Sequence, residues 1–237
     1  MKFYDEGHGY DLFGLDPRVV ELALRAGMPI YRRYFRVESS GIEQLPARGS
    51  AILAPNHGGT LPIDAAMLWL DVTSRTHRVL RTIGDWFIPR LPFVSTFFSR
   101  TGVVAGTHAN VRALLERGEL LAIFPEGVTG PAKPFTERYH LQEWRVGHAE
   151  HAIRHRVPIV PVAIIGAEEA WPVLARLPWR LFGAPYLPIP FTLLPLPIQI
   201  KIHYGTPIEL RGDADDPHVV DAAATQVRRA VERMLPS

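Results

Sequence analysis

Five short apolar runs, each closed by turn residues, punctuate the first 165 positions: 51–54, 79–83, 102–105, 120–124 and 157–165. Runs of this length bounded by Gly, Pro, Asn or Asp read as buried strands. Between them the pattern changes period. The stretch 62–71 places Ile63, Met67 and Leu70 at helical spacing, and Thr107 heads a second helix through Val111 and Leu114 to Arg117, closed by Gly118. A longer helix is expected from Thr136 to His155. Ile198-Gln-Ile-Lys-Ile-His203 alternates as a strand with one wet face does, and Asp216-Pro217 opens a last helix with its apolar stripe at Val220, Ala223, Val227, Ala230 and Met234. Strands alternating with helices predict a single α/β domain whose central, mostly parallel or mixed sheet is flanked by helices, with further helices at both ends of the chain.

Two segments break this rhythm. Asp16-Pro17 starts an apolar helix that Gly27 is expected to end, and Pro29-Ile-Tyr-Arg-Arg-Tyr-Phe-Arg36 follows it. This basic-aromatic segment reads either as a helix packed on the core or as an interfacial anchor. It sets residues 1–36 apart as a helical segment ahead of a domain at 37–237. From Trp171 to Pro197 seven prolines interrupt an apolar stretch. A proline-stiffened cover over the core is the first reading, and a lip that touches lipid is the second. The aromatic run 84–98 serves equally as core, as the wall of an acyl pocket or as a lipid contact.

Composition narrows the class. The chain has 237 residues, 47% hydrophobic and 21% charged, enough for a sizeable core. A net charge of +2 argues against nucleic acid as the main partner. The absence of cysteine excludes disulfides, a thiol nucleophile and thiolate metal sites. The N-terminus lacks the apolar core of a signal peptide, and no stretch approaches the roughly 18 uninterrupted apolar residues of a membrane span. The expected location is the cytoplasm, peripheral at the inner face of the membrane.

Candidate chemistry centres on Asn56-His57-Gly58-Gly59, which follows the first apolar run, and on Asp64 at the start of the next helix. A carboxylate bonded to one ring nitrogen fixes the tautomer and leaves the other nitrogen free to take a proton, the requirement for a general base. Thr60 is a candidate cap for that helix, with Pro62 in its first turn. Glu126, after the fourth run, and Glu168, after the fifth, also follow strand ends, where sites in α/β sheets gather. His148, His151 and His155 share a helix face. They read as a solvated basic face rather than a metal site, and no metal or cofactor is expected.

Asn56-His57, Phe124-Pro-Glu-Gly127 and Val157-Pro-Ile-Val-Pro-Val162, in this order, resemble the motifs of the glycerolipid acyltransferases of the bacterial 1-acylglycerol-3-phosphate acyltransferase type. Arg138-Tyr139 and Gly166-Ala-Glu-Glu169 also look like this family, and the resemblance spans residues 35–210. It implies transfer of an acyl group from acyl-CoA or acyl carrier protein to the hydroxyl of a lipid or glycerol-type acceptor. His57 would be the base and Asp64 its orienting partner. Glu126 and Gly127 would lie in the acceptor-binding loop. Beside the resemblance, Gly58, Gly59, Thr129 and Glu168 are candidate substrate contacts, with N–H groups near Gly58 and Gly59 facing the oxyanion. Two departures stand out. The family has four residues between its His and Asp, whereas six intervene here. The Arg that grips the acceptor phosphate is missing from Gly102-Val-Val-Ala-Gly-Thr107, which leaves Arg100, Arg112 and Lys133 as substitutes. A thioester hydrolase and a non-catalytic lipid-binding protein are the alternatives.

Overall fold

The computed structural model describes residues 7–59, 62–85, 94–131, 133–177 and 187–236. Its centre is a seven-stranded sheet built from β1 (Glu38–Ser40), β2 (Ala51–Pro55), β3 (Leu80–Gly84), β4 (Val104–Ala105), β5 (Leu120–Ala122), β6 (Ile159–Ile165) and β9 (Lys201–Tyr204), in the order β1-β9-β6-β2-β5-β3-β4. β6, β2, β5, β3 and β4 run parallel, and β9 joins β6 antiparallel, carrying β1 beside it. The mixed, mainly parallel sheet expected from the sequence is therefore present. β2 sits at its middle with all five residues buried, as a strand covered on both faces requires. A separate hairpin pairs β7 (Val173–Leu177) with β8 (Leu187–Pro190) within the proline-rich segment.

Helices cover both faces. Leu53 and Val160 point into one core with Val20 of α1 (Pro17–Pro29) and Leu68 and Val72 of α2 (Ile63–Thr76). Ile52 and Ala163 point the other way, toward Leu114 of α4 (His108–Glu116), Ala152 of α5 (Gly147–His155) and Val227 of α7 (Pro217–Glu232). α3 (Val94–Thr101) and the short α6 (Ala167–Ala170) complete the set. Much of the aromatic run 84–98 lies outside the described residues, as does Thr60. Ile63 is the first residue of α2, with Pro62 just ahead of it.

Three expectations are corrected. Gly27 does not end α1, which runs to Pro29 and continues as a π-helical turn over Ile30–Tyr34. Its lack of a side chain serves packing instead, because a Cβ there would lie 2.7 Å from Leu70 Cδ2 of α2. In the turn Tyr31 and Phe35 are buried. The Tyr31 hydroxyl donates to the buried Asp71 at 2.7 Å, as does Tyr204 of β9, so one carboxylate ties α1, α2 and the sheet together.

The helix expected over 136–155 is confined to α5. Ahead of it the N–H groups of Tyr139 and Gln142 are drawn to the carboxylates of Glu168 and Glu126, and Tyr139 takes a positive φ of 63°. Those donors are lost to a helical ladder. The third correction concerns the histidines. His148 and His151 are buried in the interface of α5 with α4 and Trp144 rather than solvated, and only His155 is partly open.

Burial pushes both His148 and His151 down to about 4, with His108 adding to the effect at His151. Below the ordinary imidazole value near 6.5 the unfolded chain takes up protons that the folded protein refuses. Stability should therefore fall as pH drops from about 6.5 to about 4, by up to about 1.4 kcal/mol per pH unit for each histidine. Urea unfolding across this window should show that slope, and His148→Phe should remove about half of the histidine part of it.

Candidate functional site

β2 ends at Pro55, and the next residue extends its pairing through a side chain. Asn56 Nδ2 donates to Ile164 O at 2.9 Å, and Asn56 Oδ1 accepts from Ile164 N at 2.7 Å. This amide continues the β2–β6 ladder and fixes where the chain leaves the sheet. His57 follows at once. Its Nδ1 lies 2.6 Å from Asp64 Oδ2, so the six-residue spacing still brings ring and carboxylate together. Gly59, at a φ of 92°, takes the left-handed turn that the longer loop needs. Asp64, in the first turn of α2, also accepts from Gly58 N at 2.9 Å and Ala65 N at 2.7 Å. Three donors thus hold a carboxylate that is 1% exposed.

The imidazole is neither sealed nor adrift. Its side chain is 13% exposed, and it packs against Phe124 with ring centroids 4.4 Å apart. Its Nε2 makes no hydrogen bond among the described residues. Nδ1 bonded to a carboxylate and Nε2 open to a ligand is the geometry of a general base.

The strand-end carboxylates converge on this loop. Glu126 Oε1 accepts from His57 N at 2.9 Å and Oε2 from Gln142 N at 2.9 Å. The buried Lys133 ammonium lies 3.7 Å from Glu126 and 2.8 Å from Glu168 Oε1, and donates to His140 O at 3.2 Å. Glu168 Oε2 accepts from Tyr139 N at 2.7 Å. Burial pushes the Glu168 carboxyl up, and Lys133 opposes that shift. The Tyr139 hydroxyl donates to Glu169, 2.6–2.7 Å away, and accepts from Gly166 N.

Several residues expected to meet substrate are turned inward. Glu126 and Glu168 are 1% and 6% exposed and spend their oxygens on the protein. The N–H of Gly58 is taken by Asp64 and that of His57 by Glu126, so neither faces an oxyanion. Gly58 is small because a Cβ there would lie 2.8 Å from Glu168 Cδ and closer still to its Cγ. Thr129 is exposed, and its hydroxyl donates to Glu126 O at 2.7 Å.

None of the three expected phosphate-binding cations faces His57 among the described contacts. Lys133 is locked between carboxylates, Arg112 pairs with Glu116 at 2.8 Å on α4, and Arg100 lies over the Tyr10 ring. The sequence reading missed Arg145. Its backbone N donates to Pro125 O, which pins it to the Phe124–Gly127 loop. Its side chain, 62% exposed, crosses Gly127 and reaches Asp85 at 3.5 Å. Gly127 makes room, since a Cβ there would stand 2.9 Å from Arg145 Cζ. Asp85 in turn lines a cavity of about 400 Å³ beyond β3 and β4, with Leu12, Phe13, Phe98, Val104 and Asn110.

The Acyltransferase family model matches residues 36–165, more than half of the chain, a span that includes His57, Asp64, Glu126, Lys133 and Arg145. The chain belongs to the acyltransferase family. It is an acyltransferase, and the match bears out the family recognised from the three ordered motifs. An uncharacterized protein of Mycobacterium tuberculosis is 37% identical over 96% of this acyltransferase and 69% of its own length. The bovine "DGAT1/2-independent enzyme synthesizing storage lipids" is 27% identical over 84% of this chain and 58% of its own. In fold, the acyltransferase is similar to the 1-acyl-sn-glycerophosphate acyltransferase PlsC of Thermotoga maritima, with a TM-score of 0.63 at 18% identity over 92% of this chain and 80% of that one.

The contact at Gly58 gives a direct check. Gly58→Ala should cost about 1–3 kcal/mol through overpacking against Glu168, read as a shift of the urea midpoint. Combining it with Glu168→Ala should cost less than the sum of the two single changes.

Proposed function

We propose that this acyltransferase moves a fatty acyl group from a thioester, acyl-CoA or acyl carrier protein, to the hydroxyl of a lipid or glycerol-type acceptor. The observation that carries the reading is the 2.6 Å contact between His57 Nδ1 and Asp64 on a ring whose far nitrogen is open. A hydroxyl is a poor nucleophile at neutral pH. His57 Nε2 takes its proton as the oxygen attacks the thioester carbonyl carbon; the C–S bond then breaks, and the proton leaves with the thiolate. Asp64 holds the ring and steadies the imidazolium that forms. No covalent enzyme intermediate is needed. The naming of the vertebrate relatives for storage-lipid synthesis supports a lipid acceptor.

Arg145 is the residue we assign to the phosphate of the donor or of the acceptor. Its backbone is bonded to the loop that carries Glu126, its guanidinium is mostly exposed, and Asp85 holds it only at 3.5 Å. It thereby fills the role left vacant by the missing motif arginine. The cavity beside Asp85 is then the place for the remainder of that substrate.

The absence of the motif arginine also favours a second reading, hydrolysis of the thioester with water as the nucleophile. Thiol release that rises with added acceptor, and an acylated lipid as product, separates transfer from hydrolysis. His57→Ala should abolish that release while leaving the fold intact, and Asp64→Asn should lower kcat about 10³–10⁴-fold. Retained transfer in the His57 variant would refute the assignment of the base. Arg145→Gln should raise KM for one phosphate-bearing substrate about tenfold with little change in kcat. Unchanged KM values for both substrates would remove Arg145 from the site.

A further inference from the structure

Among the described residues, the most exposed large apolar side chains lie together on one segment. Leu193 is 89% exposed, Leu194 71% and Phe191 68%. A contiguous exposed apolar patch on a protein surface marks an interaction site. The segment that carries this one is held by the rest of the fold. Phe191 N donates to Pro172 O, Trp171 Nε1 to Thr192 O, and Leu196 N to Ala170 O at 2.6 Å. Pro188, Pro190, Pro195 and Pro197 stiffen the same stretch. These bonds tie the segment to the fold on both sides of Leu193 and Leu194, whose side chains stay exposed.

A basic segment distant in sequence is bound to this lip. The Tyr34 hydroxyl donates to Pro195 O at 2.6 Å, and Arg36 Nη2 to Pro197 O at 2.8 Å. Arg32 and Arg33, on the π-helical turn that buries Tyr31, are exposed and make no ion pair among the described residues. The apolar ridge is thus joined to a segment that carries a tyrosine tip and three exposed arginines, Arg32, Arg33 and Arg36. This is the order of groups met on entering a bilayer with acidic headgroups: arginine at the phosphates, tyrosine at the boundary, leucine among the acyl chains.

We infer that the lip at 191–198 and the turn at 30–36 form one docking surface for an anionic lipid bilayer. It is separate from the His57 chemistry and is tested without it. The lip is joined to the site through α6, whose Ala170 holds Leu196 and whose Glu168 packs against Gly58. Docking therefore brings the acceptor's bilayer to the strand ends.

The test is flotation of the full chain with vesicles of phosphatidylcholine alone and of phosphatidylcholine with phosphatidylglycerol. The wild-type protein should float with the acidic vesicles, and added salt should weaken this. Leu193→Ser with Leu194→Ser should reduce binding at least tenfold, as should Arg32→Gln with Arg33→Gln, with circular dichroism and the melting temperature unchanged. No flotation of the wild type, or full flotation of the leucine variant, would overturn the inference. A wild-type dimer that the serine variant makes monomeric would also overturn it, because a second copy would then cover the lip. With acceptor dispersed in detergent, the lip variants should keep their turnover and His57→Ala should not. Turnover in His57→Ala refutes the proposed base whatever the vesicles show.

Discussion

The site depends on one buried carboxylate. Glu126 lies at the end of β5, and its two oxygens bind the backbone of His57 and of Gln142. It therefore joins three pieces of chain that no regular ladder connects: the tail of β2, the loop after β5 and the irregular approach to α5. A buried anion with two backbone donors and an ammonium nearby is tolerated because its charge is met. Lys133 extends the knot to Glu168, so one cation serves two carboxylates that follow β5 and β6, the strands on either side of β2. Removing Lys133 would leave both acids buried without a counter-charge, a situation that typically costs several kcal/mol. The imidazole's position follows from this knot and from Asn56 more than from any contact of the ring itself.

The features that could be read from the sequence were those set by periodicity. Apolar runs gave the strands, and their interruption by Asn56-His57 and Pro125-Glu126 marked where side chains leave the sheet. The proximity of His57 to Asp64 could be anticipated because two glycines occupy the extra length. The failures have a common cause in side chains that reach across the fold. The periodic stretch 136–155 has helical spacing, yet its first half is pulled out of a helix by two distant carboxylates. His148 and His151 look polar in sequence but pack as neutral rings. Arg145 was invisible because its relation to Gly127 depends on a loop path that spacing alone does not give. Glu126 and Glu168 were legible as residues that follow strand ends, but position there does not say whether a carboxylate faces solvent or core, and both turn into the protein.

A longer loop between base and acid would ordinarily loosen their geometry. Here the constraint has moved from the loop to the carboxylate. Asp64 accepts from Gly58 N and Ala65 N as well as from the ring, so its oxygens are placed by the chain on both sides of it. The N–H of Gly58 thereby becomes part of the dyad's frame and is lost as an oxyanion donor. The same glycine must stay small for Glu168. One position thus carries two demands, an amide aimed at Asp64 and no Cβ toward Glu168, and glycine meets both.

α6 has only four residues, yet its neighbours on two sides matter in different ways. Toward the sheet, Glu168 closes the charge knot behind His57, and Gly166 N meets the Tyr139 hydroxyl. Away from it, Ala170 O accepts from Leu196 and sets the height of the proline-rich segment above the strand ends. A short helix held at both ends by hydrogen bonds transmits position, because packed cores deform little. The distance between the apolar lip and the His57 loop is therefore set by a short covalent connection and a few hydrogen bonds. A long, flexible arm would have left that distance to chance.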